Sequence, residues 1–528
     1  VKESRRSFLR QSIGSSATFA LPSFARSAAR DYHVALSPEA LEADPDLLGL
    51  LRGSGVGTVW VTGFLYGYWP YPLDRIQRWR REIERHGMEA HVANVPLGHP
   101  GDALGSMRGD VPLTPPKHWS LGVRVDGTTH SGVSLHSPAT EENARALKLL
   151  SRAGVRRVFL DDDFRLAQGP GDIGGCFCKH HAAEFLRESG HPESAMRQLA
   201  GDIRARNLSP LLRQWIEFWC DRLTASFRAQ QAAAPSIELG IMVMYLGAEK
   251  AGIRLADYRK VPFRVGELMF DDRAFGRLRG KTDELFSSLF HRRFVEPRLA
   301  YSETTAFPAD KLSAGNMAAK LVVSTLSDVR HTMFMSGLTA FPRSYWDTLA
   351  PAMRKLAALH QRIAGHAPRG PFKHYWGEAS RLVGDDRPYS LFLAAGVPFE
   401  VTDEPARDGW TFLSDADASA VAAGSLKSAG TQFAARTTTV LSGATRRVPE
   451  TLADLFALKR SLLPQWNDTP VIEDEKPAVC AWYPTAGIAL VWNLSERPET
   501  FSVRFGRNRY ELTVHGLDVA QVPGLPQG

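Results

Sequence analysis

From residue 31 to about 365, short apolar runs alternate with stretches whose apolar residues recur at helical spacing. Alternation of this kind builds βα units around a parallel sheet. The pattern predicts eight strands: Tyr32–Leu36, Thr58–Thr62, Glu89–Val95, Arg157–Leu160, Glu238–Tyr245, Val265–Phe270, Leu299–Ser302 and Thr332–Met335. Helices are predicted between them, among them Leu73–His86, Glu141–Ala153, Thr282–Phe294, Ala314–Asp328 and Tyr345–Ile363. A Gly- and Pro-rich stretch, about 98–137, breaks the rhythm and is expected to form a long loop over one end. Eight such units close into a (β/α)8 TIM barrel. The alternative is an open doubly wound sheet, disfavoured because no Gly-rich nucleotide fingerprint follows any strand.

Past His366 the texture changes. Residues 366–475 read as a smaller α/β domain, with a helix at Ser414–Ala429, a strand at Thr438–Leu441 and a helix at Thr451–Leu463. Residues 476–528 alternate apolar and polar positions, as in Ile488–Trp492 and Phe501–Phe505, which predicts a small antiparallel β domain. The predicted fold class is therefore α/β, a barrel of residues 30–365 followed by two smaller domains.

Charge refines this picture. The chain of 528 residues carries a net +7, but residues 1–29 hold Lys2, Arg5, Arg6, Arg10 and Arg26 against Glu3, leaving the rest near +3. No cluster of Lys and Arg with interleaved aromatics occurs there, so nucleic-acid binding is not predicted. Ser4-Arg5-Arg6-Ser7-Phe8-Leu9-Arg10 resembles a twin-arginine export motif, followed by a weakly apolar run and small residues at Ala25, Ser27 and Ala28. Residues 1–29 are therefore expected to be a signal peptide. The twin-arginine translocase would export the folded protein to the periplasm or beyond. No later stretch reaches the ~18 apolar residues of a spanning helix. Four cysteines, unevenly spaced, do not make a disulfide framework.

Barrel chemistry belongs to the C-terminal strand ends. Strand four ends in Asp161-Asp162-Asp163, then Phe164-Arg165; strand seven ends in Tyr301-Ser302-Glu303-Thr304-Thr305. Crowded carboxylates raise at least one pKa, and glycosidic cleavage needs one protonated and one ionised carboxyl. The plainer reading is a helix cap or cation site for the Asp run and a surface Glu303. Strand two runs into Phe64, Tyr66, Tyr68, Trp69 and Tyr71, either sugar-stacking rings or a hydrophobic plug. Asp271-Asp272-Arg273 follows strand six and is a substrate contact, a metal site or a salt-bridged loop. Arg165, Asn94 and Tyr245, by their places at strand ends, join Asp161, Tyr66, Tyr68, Trp69 and Asp271 as candidate substrate contacts. Cys176-Phe177-Cys178-Lys179-His180-His181 offers zinc-capable donors.

These motifs resemble family 42 glycoside hydrolases, the β-galactosidases of a TIM-barrel clan. In that family strand four ends in Asn-Glu-Tyr, and a Cys-x-Cys-x-x-Cys segment and an amphipathic helix follow. Here Asp162-Asp163-Phe164 precedes Cys176-Phe177-Cys178-Lys179-His180-His181, and Glu303-Thr304-Thr305 stands where the family has its nucleophile. The family's order of barrel, α/β domain and small β domain is the order read above. The resemblance implies Asp163 as acid/base, Glu303 as nucleophile and Asp162 beside them, in a retaining reaction on an oligo- or polysaccharide. It implies no required cofactor, a structural zinc held by Cys176, Cys178 and His181, and a homo-oligomer formed through a flavodoxin-like or trimerisation-like α/β domain. The departures are an Asp in place of the acid/base Glu, His181 in place of one thiolate, and a longer loop before Cys176. Two other functions compete: a carbohydrate-binding protein without catalysis, and a metal-dependent barrel hydrolase. The latter is disfavoured because His33-Val34-Ala35 lacks the His-x-His pair.

Overall fold

The computed structural model describes residues 30–98, 115–133, 135–161, 164–167, 171–266, 269–426, 432–436 and 445–525. The expected signal peptide, Asp162, Asp163 and the expected strand Thr438–Leu441 lie outside the described residues.

Eight parallel strands close into a barrel: β1 (Asp31–Leu36), β2 (Thr58–Leu65), β3 (Glu89–Val95), β4 (Arg157–Leu160), β5 (Glu238–Met244), β6 (Phe263–Gly266), β7 (Ala300–Thr305) and β8 (His331–Met335). Each pairs with its neighbours in chain order, and β8 closes on β1 with Asp31 opposite His331. The near-continuous apolar runs follow from burial on both faces, the barrel's interior packing on one side and the helices on the other. In β2 all eight residues are buried.

Two strand boundaries differ from the sequence reading in ways that matter. Strand β6 begins at Phe263, just after Pro262, so Arg264 lies inside the sheet, opposite Met242 of β5. The expected strand began one residue later, at Val265. Strand β7 continues to Thr305, so Glu303 sits within the ladder, opposite Met333 of β8. The stretch after β3 is not wholly irregular: Leu121–Val123 and Thr129–Val133 form an antiparallel hairpin.

The helices between strands show one apolar face each, as in Leu73–Arg85, which buries Ile76 and Ile83. Beyond the barrel, a five-stranded parallel sheet runs in the order Phe399–Thr402, Phe372–Tyr375, Trp410–Leu413, Gln432–Ala435 and Thr445–Arg447. The C-terminal part is antiparallel, with Ala478–Tyr483 paired to Ile488–Asn493 and Glu499–Phe505 to Asn508–Val514. Val471–Ile472 pairs with Glu499–Phe505, so this β unit draws a strand from before residue 476. Among the described residues no helix is long and apolar enough to cross a membrane.

The α/β unit leans over the β4 and β5 side of the barrel mouth. Its helix Glu378–Val383 carries Arg381, which pairs with Glu249, and Glu378, which pairs with Arg213. Asp386 just beyond forms a buried ion pair with Lys250 and accepts the Gly171 N–H at 2.8 Å. Arg206 reinforces this seam by donating to the carbonyls of Val383 and Gly384.

Candidate active site

Glu303 and Asp161 converge inside the upper barrel. Asp161 follows the last residue of β4 and is 1% exposed; Glu303 on β7 is 4% exposed. Between them lies the guanidinium of Arg264 from β6, which is fully buried. One nitrogen, Nη2, pairs with Asp161 Oδ1 and lies 3.5 Å from Glu303 Oε2. The other carboxylate oxygen, Glu303 Oε1, accepts the Thr305 hydroxyl at 2.6 Å. The rest of the guanidinium faces soft, apolar groups. Its nitrogens lie 2.8 Å from Met333 Sδ and 3.0 Å from Met242 Sδ, and its carbon lies 5.8 Å from the centre of the Phe159 ring. Burial pulls the Arg264 pKa down, and Glu303 opposes that shift. Two carboxylates and one guanidinium thus share a water-poor interior where charge interactions are strong.

The remaining candidate residues divide. Asn94 is buried at the end of β3, and its Oδ1 accepts the Phe64 N–H at 2.9 Å, supporting the bulge after Thr62 in β2. Gly63 is required there, because a Cβ would strike that Asn94 oxygen and Val92. The aromatic run after β2 is mainly interior: Phe64, Tyr66 and Tyr71 are buried, while Tyr68 and Trp69 are half-buried. Trp69 packs on Phe64 with ring centres 5.3 Å apart. The expectation of an exposed stacking surface therefore narrows to Tyr68 and Trp69.

Tyr245, in a left-handed conformation at the end of β5 (φ 45°), is buried. Burial, with Asp283, Asp386 and Glu284 nearby, holds its phenol far above the ordinary tyrosine range, so it is a neutral group. Arg165 is also buried. Asp271 accepts the Ala274 N–H at 2.8 Å in its own turn, and Asp272 accepts from Asn316 Nδ2 at 2.7 Å beside the helix Ala314–Leu326. Both carry hydrogen bonds that hold their own loop.

The metal-donor set is recomposed. Cys178 and His181 meet His136, not Cys176: Cys178 Sγ lies 3.2 Å from His136 Nε2 and 3.4 Å from His181 Nδ1. Cys176 is buried beside Cys178, and burial raises its thiol pKa to about 11. The His136 and His181 rings stack, 4.2 Å between centres. Burial pushes His181 down to about 3 and lowers His136, so both imidazoles are neutral and have a lone pair to give. Donors bound to one zinc at ~2.0–2.3 Å in a tetrahedron stand roughly 3.3–3.8 Å apart. The three donor atoms all lie within 4.8 Å of one another, close to that spacing. Cys178 also caps the helix Lys179–Ser189, its sulfur accepting the His181 N–H.

A second donor group, Asp31, His33 and His331, lies at the opposite end of the barrel. Its hydrogen bonds favour another use. Trp60 donates its indole N–H to His33 Nδ1 at 3.1 Å, so the neutral ring carries its proton on Nε2. That proton faces Asp31 Oδ2 and His331 Nδ1, each at 3.2 Å. Although burial opposes it, His33 and His331 hold the Asp31 carboxyl well below the usual range. This floor is a hydrogen-bonded structural layer, as expected of the N-terminal end of a barrel.

Sequence reasoning missed Arg264 and His136. Arg264 carried one signal, a lone charge between Phe263 and Val265 in an otherwise apolar run. His136 lies 42 residues before Cys178 and has no spacing signal.

No known protein-family profile matches the chain, and no curated protein matches it in sequence. Solved structures do match. A cold-adapted β-galactosidase from Rahnella sp. R3 superposes with a TM-score of 0.60 at 12% identity, covering 94% of this chain and 98% of that one. A β-galactosidase from Bacillus circulans sp. alkalophilus gives 0.61 at 10% identity, covering 94% and 99%. A catalytic mutant of a GH42 β-galactosidase from G. stearothermophilus gives 0.61 at 10% identity, covering 94% and 98%. At such identities the likeness is one of fold, and it spans the whole architecture: this chain shares the barrel-plus-two-domain fold of GH42 β-galactosidases.

Proposed function

We propose that the protein is a glycoside hydrolase that cleaves an O-glycosidic bond by a retaining double displacement, with Glu303 as nucleophile. One observation carries the reading. Carboxylates from β4 and β7 converge on a single guanidinium nitrogen at the upper end of a barrel whose fold is that of β-galactosidases. Asp161, held by Arg264, is a poor proton donor. By the family resemblance that role goes to Asp163, with Asp162 beside it.

In the first step the Asp163 carboxyl gives its proton to the leaving oxygen while Glu303 attacks the anomeric carbon, breaking the glycosidic C–O bond and forming a glycosyl ester. Asp163, now ionised, takes a proton from water. The water oxygen attacks the same carbon, releasing the sugar and restoring Glu303. Tyr68 and Trp69 are the rings placed to stack on a sugar. A structural zinc held by His136, Cys178 and His181 would tie the loop after β3 to the segment after β4. Residues 1–29 would export the folded enzyme by the twin-arginine route.

The test is turnover of chromogenic glycosides, β-galactosides first, by wild type and Glu303→Gln. The variant is expected to lose at least about 1,000-fold in kcat while retaining ligand binding. Equal turnover by the two proteins would sink the proposal.

A further inference from the structure

Resting on the glycosidase reading, we propose that Arg264 is a positioning residue that pairs with Asp161 and presents its remaining charge to Glu303, holding the nucleophile's carboxylate in place.

The argument starts from how unusual the placement is. A fully buried arginine in the middle of a barrel strand carries a large desolvation cost unless it is paired. Its flank of methionine sulfurs and the Phe159 ring offers little compensation. The two carboxylates provide it, but unequally. Asp161 takes a direct charge-assisted hydrogen bond, whereas Glu303 Oε2 stands at 3.5 Å, within ion-pair range but without a hydrogen bond. Among the described residues, the Glu303 carboxylate accepts a hydrogen bond from the neutral Thr305 hydroxyl, to Oε1. Oε2 is therefore electrostatically held yet not consumed by a donor, which suits an oxygen that must attack. Among the described residues, the charged groups meeting Glu303 are Arg264 from β6 and, through it, Asp161 from β4; Met333 of β8 faces it as an uncharged neighbour.

The signs follow. An opposite charge within ~4–6 Å lowers a carboxyl pKa by ~1–3 units, and a like charge raises it. Removing the guanidinium should raise the Glu303 pKa and move the acidic limb of the kcat/KM profile upward. Removing the Asp161 charge should free the guanidinium for Glu303 and move that limb downward. A merely structural arginine would move neither limb.

The experiment is the pH dependence of kcat/KM for wild type, Arg264→Met, Arg264→Lys and Asp161→Asn. The acidic limb is expected to rise by about one unit or more in Arg264→Met, to stay within about half a unit in Arg264→Lys, and to fall in Asp161→Asn. If Arg264→Met does not fold, a limb that falls in Asp161→Asn while that of Arg264→Lys stays near wild type still decides. Limbs that coincide in all folded variants overturn the inference. A parallel trapping of the wild type with a 2-deoxy-2-fluoro glycoside separates the two levels: an adduct on Glu303 with unmoved limbs defeats this inference alone, whereas an adduct elsewhere defeats the glycosidase reading.

Discussion

Lys250, on the loop after β5, forms a completely buried ion pair with Asp386 from the second domain. Two charges in such a place make the domain contact obligatory, because either one alone would be a buried, unpaired ion. Asp386→Asn should destabilise the protein by about 3–5 kcal/mol, whereas the paired replacement Lys250→Met with Asp386→Leu should cost far less. Thermal unfolding of the three variants checks this. Equal losses in single and double variants would show that packing, not charge, governs the seam.

Histidines give the acid response. Burial pushes His291 down to about 4 and His374 to about 3. His374 Nε2 accepts the Tyr389 N–H at 2.9 Å, which holds that ring neutral, whereas His291 Nδ1 donates to the Ser287 carbonyl at 2.8 Å, a bond that partly offsets its burial. In the unfolded chain they protonate near pH 6.5. Between those values the unfolded state binds more protons, so stability is complete above about pH 6.5 and is lost as pH falls toward the folded values. Each histidine contributes a slope of up to about 1.4 kcal/mol per pH unit. His291→Leu should flatten the fall of Tm between pH 6.5 and 4.5; an unchanged slope would refute this assignment.

Metal content is the third expectation. Chelator-stripped protein should take up about one zinc per chain, and Cys178→Ser or His136→Ala should lower that uptake together with Tm in the presence of zinc. Cys176→Ser should matter less, since Cys176 is not among the clustered donors. Elemental analysis showing no uptake by wild type would remove the site.

The fold was legible because its signal is repetitive. Eight apolar runs separated by amphipathic stretches leave few alternatives, and β3 and β4 came out to the residue. Glu303 was singled out as a carboxylate directly after an apolar run, whereas the structure sets it inside β7. What the sequence hid is long-range partnership. Arg264 stood just outside the strand expected from Val265, and nothing local marks a charge inside a strand as paired. Its partners come from β4 and β7, 103 residues away for Asp161. His136 was hidden for the same reason. The run from Phe64 to Tyr71 looked like a surface for sugars, yet only the fold shows that Tyr66 is sealed beneath it.

The central claim is that Glu303 becomes covalently linked to a sugar. Incubation with a 2-deoxy-2-fluoro glycoside of the preferred sugar, followed by digestion and mass spectrometry, tests it directly. The account predicts one adduct per chain on the peptide containing Glu303, formed as activity disappears. Inactivation with the adduct on another residue, or sustained turnover that never yields an adduct, would contradict it.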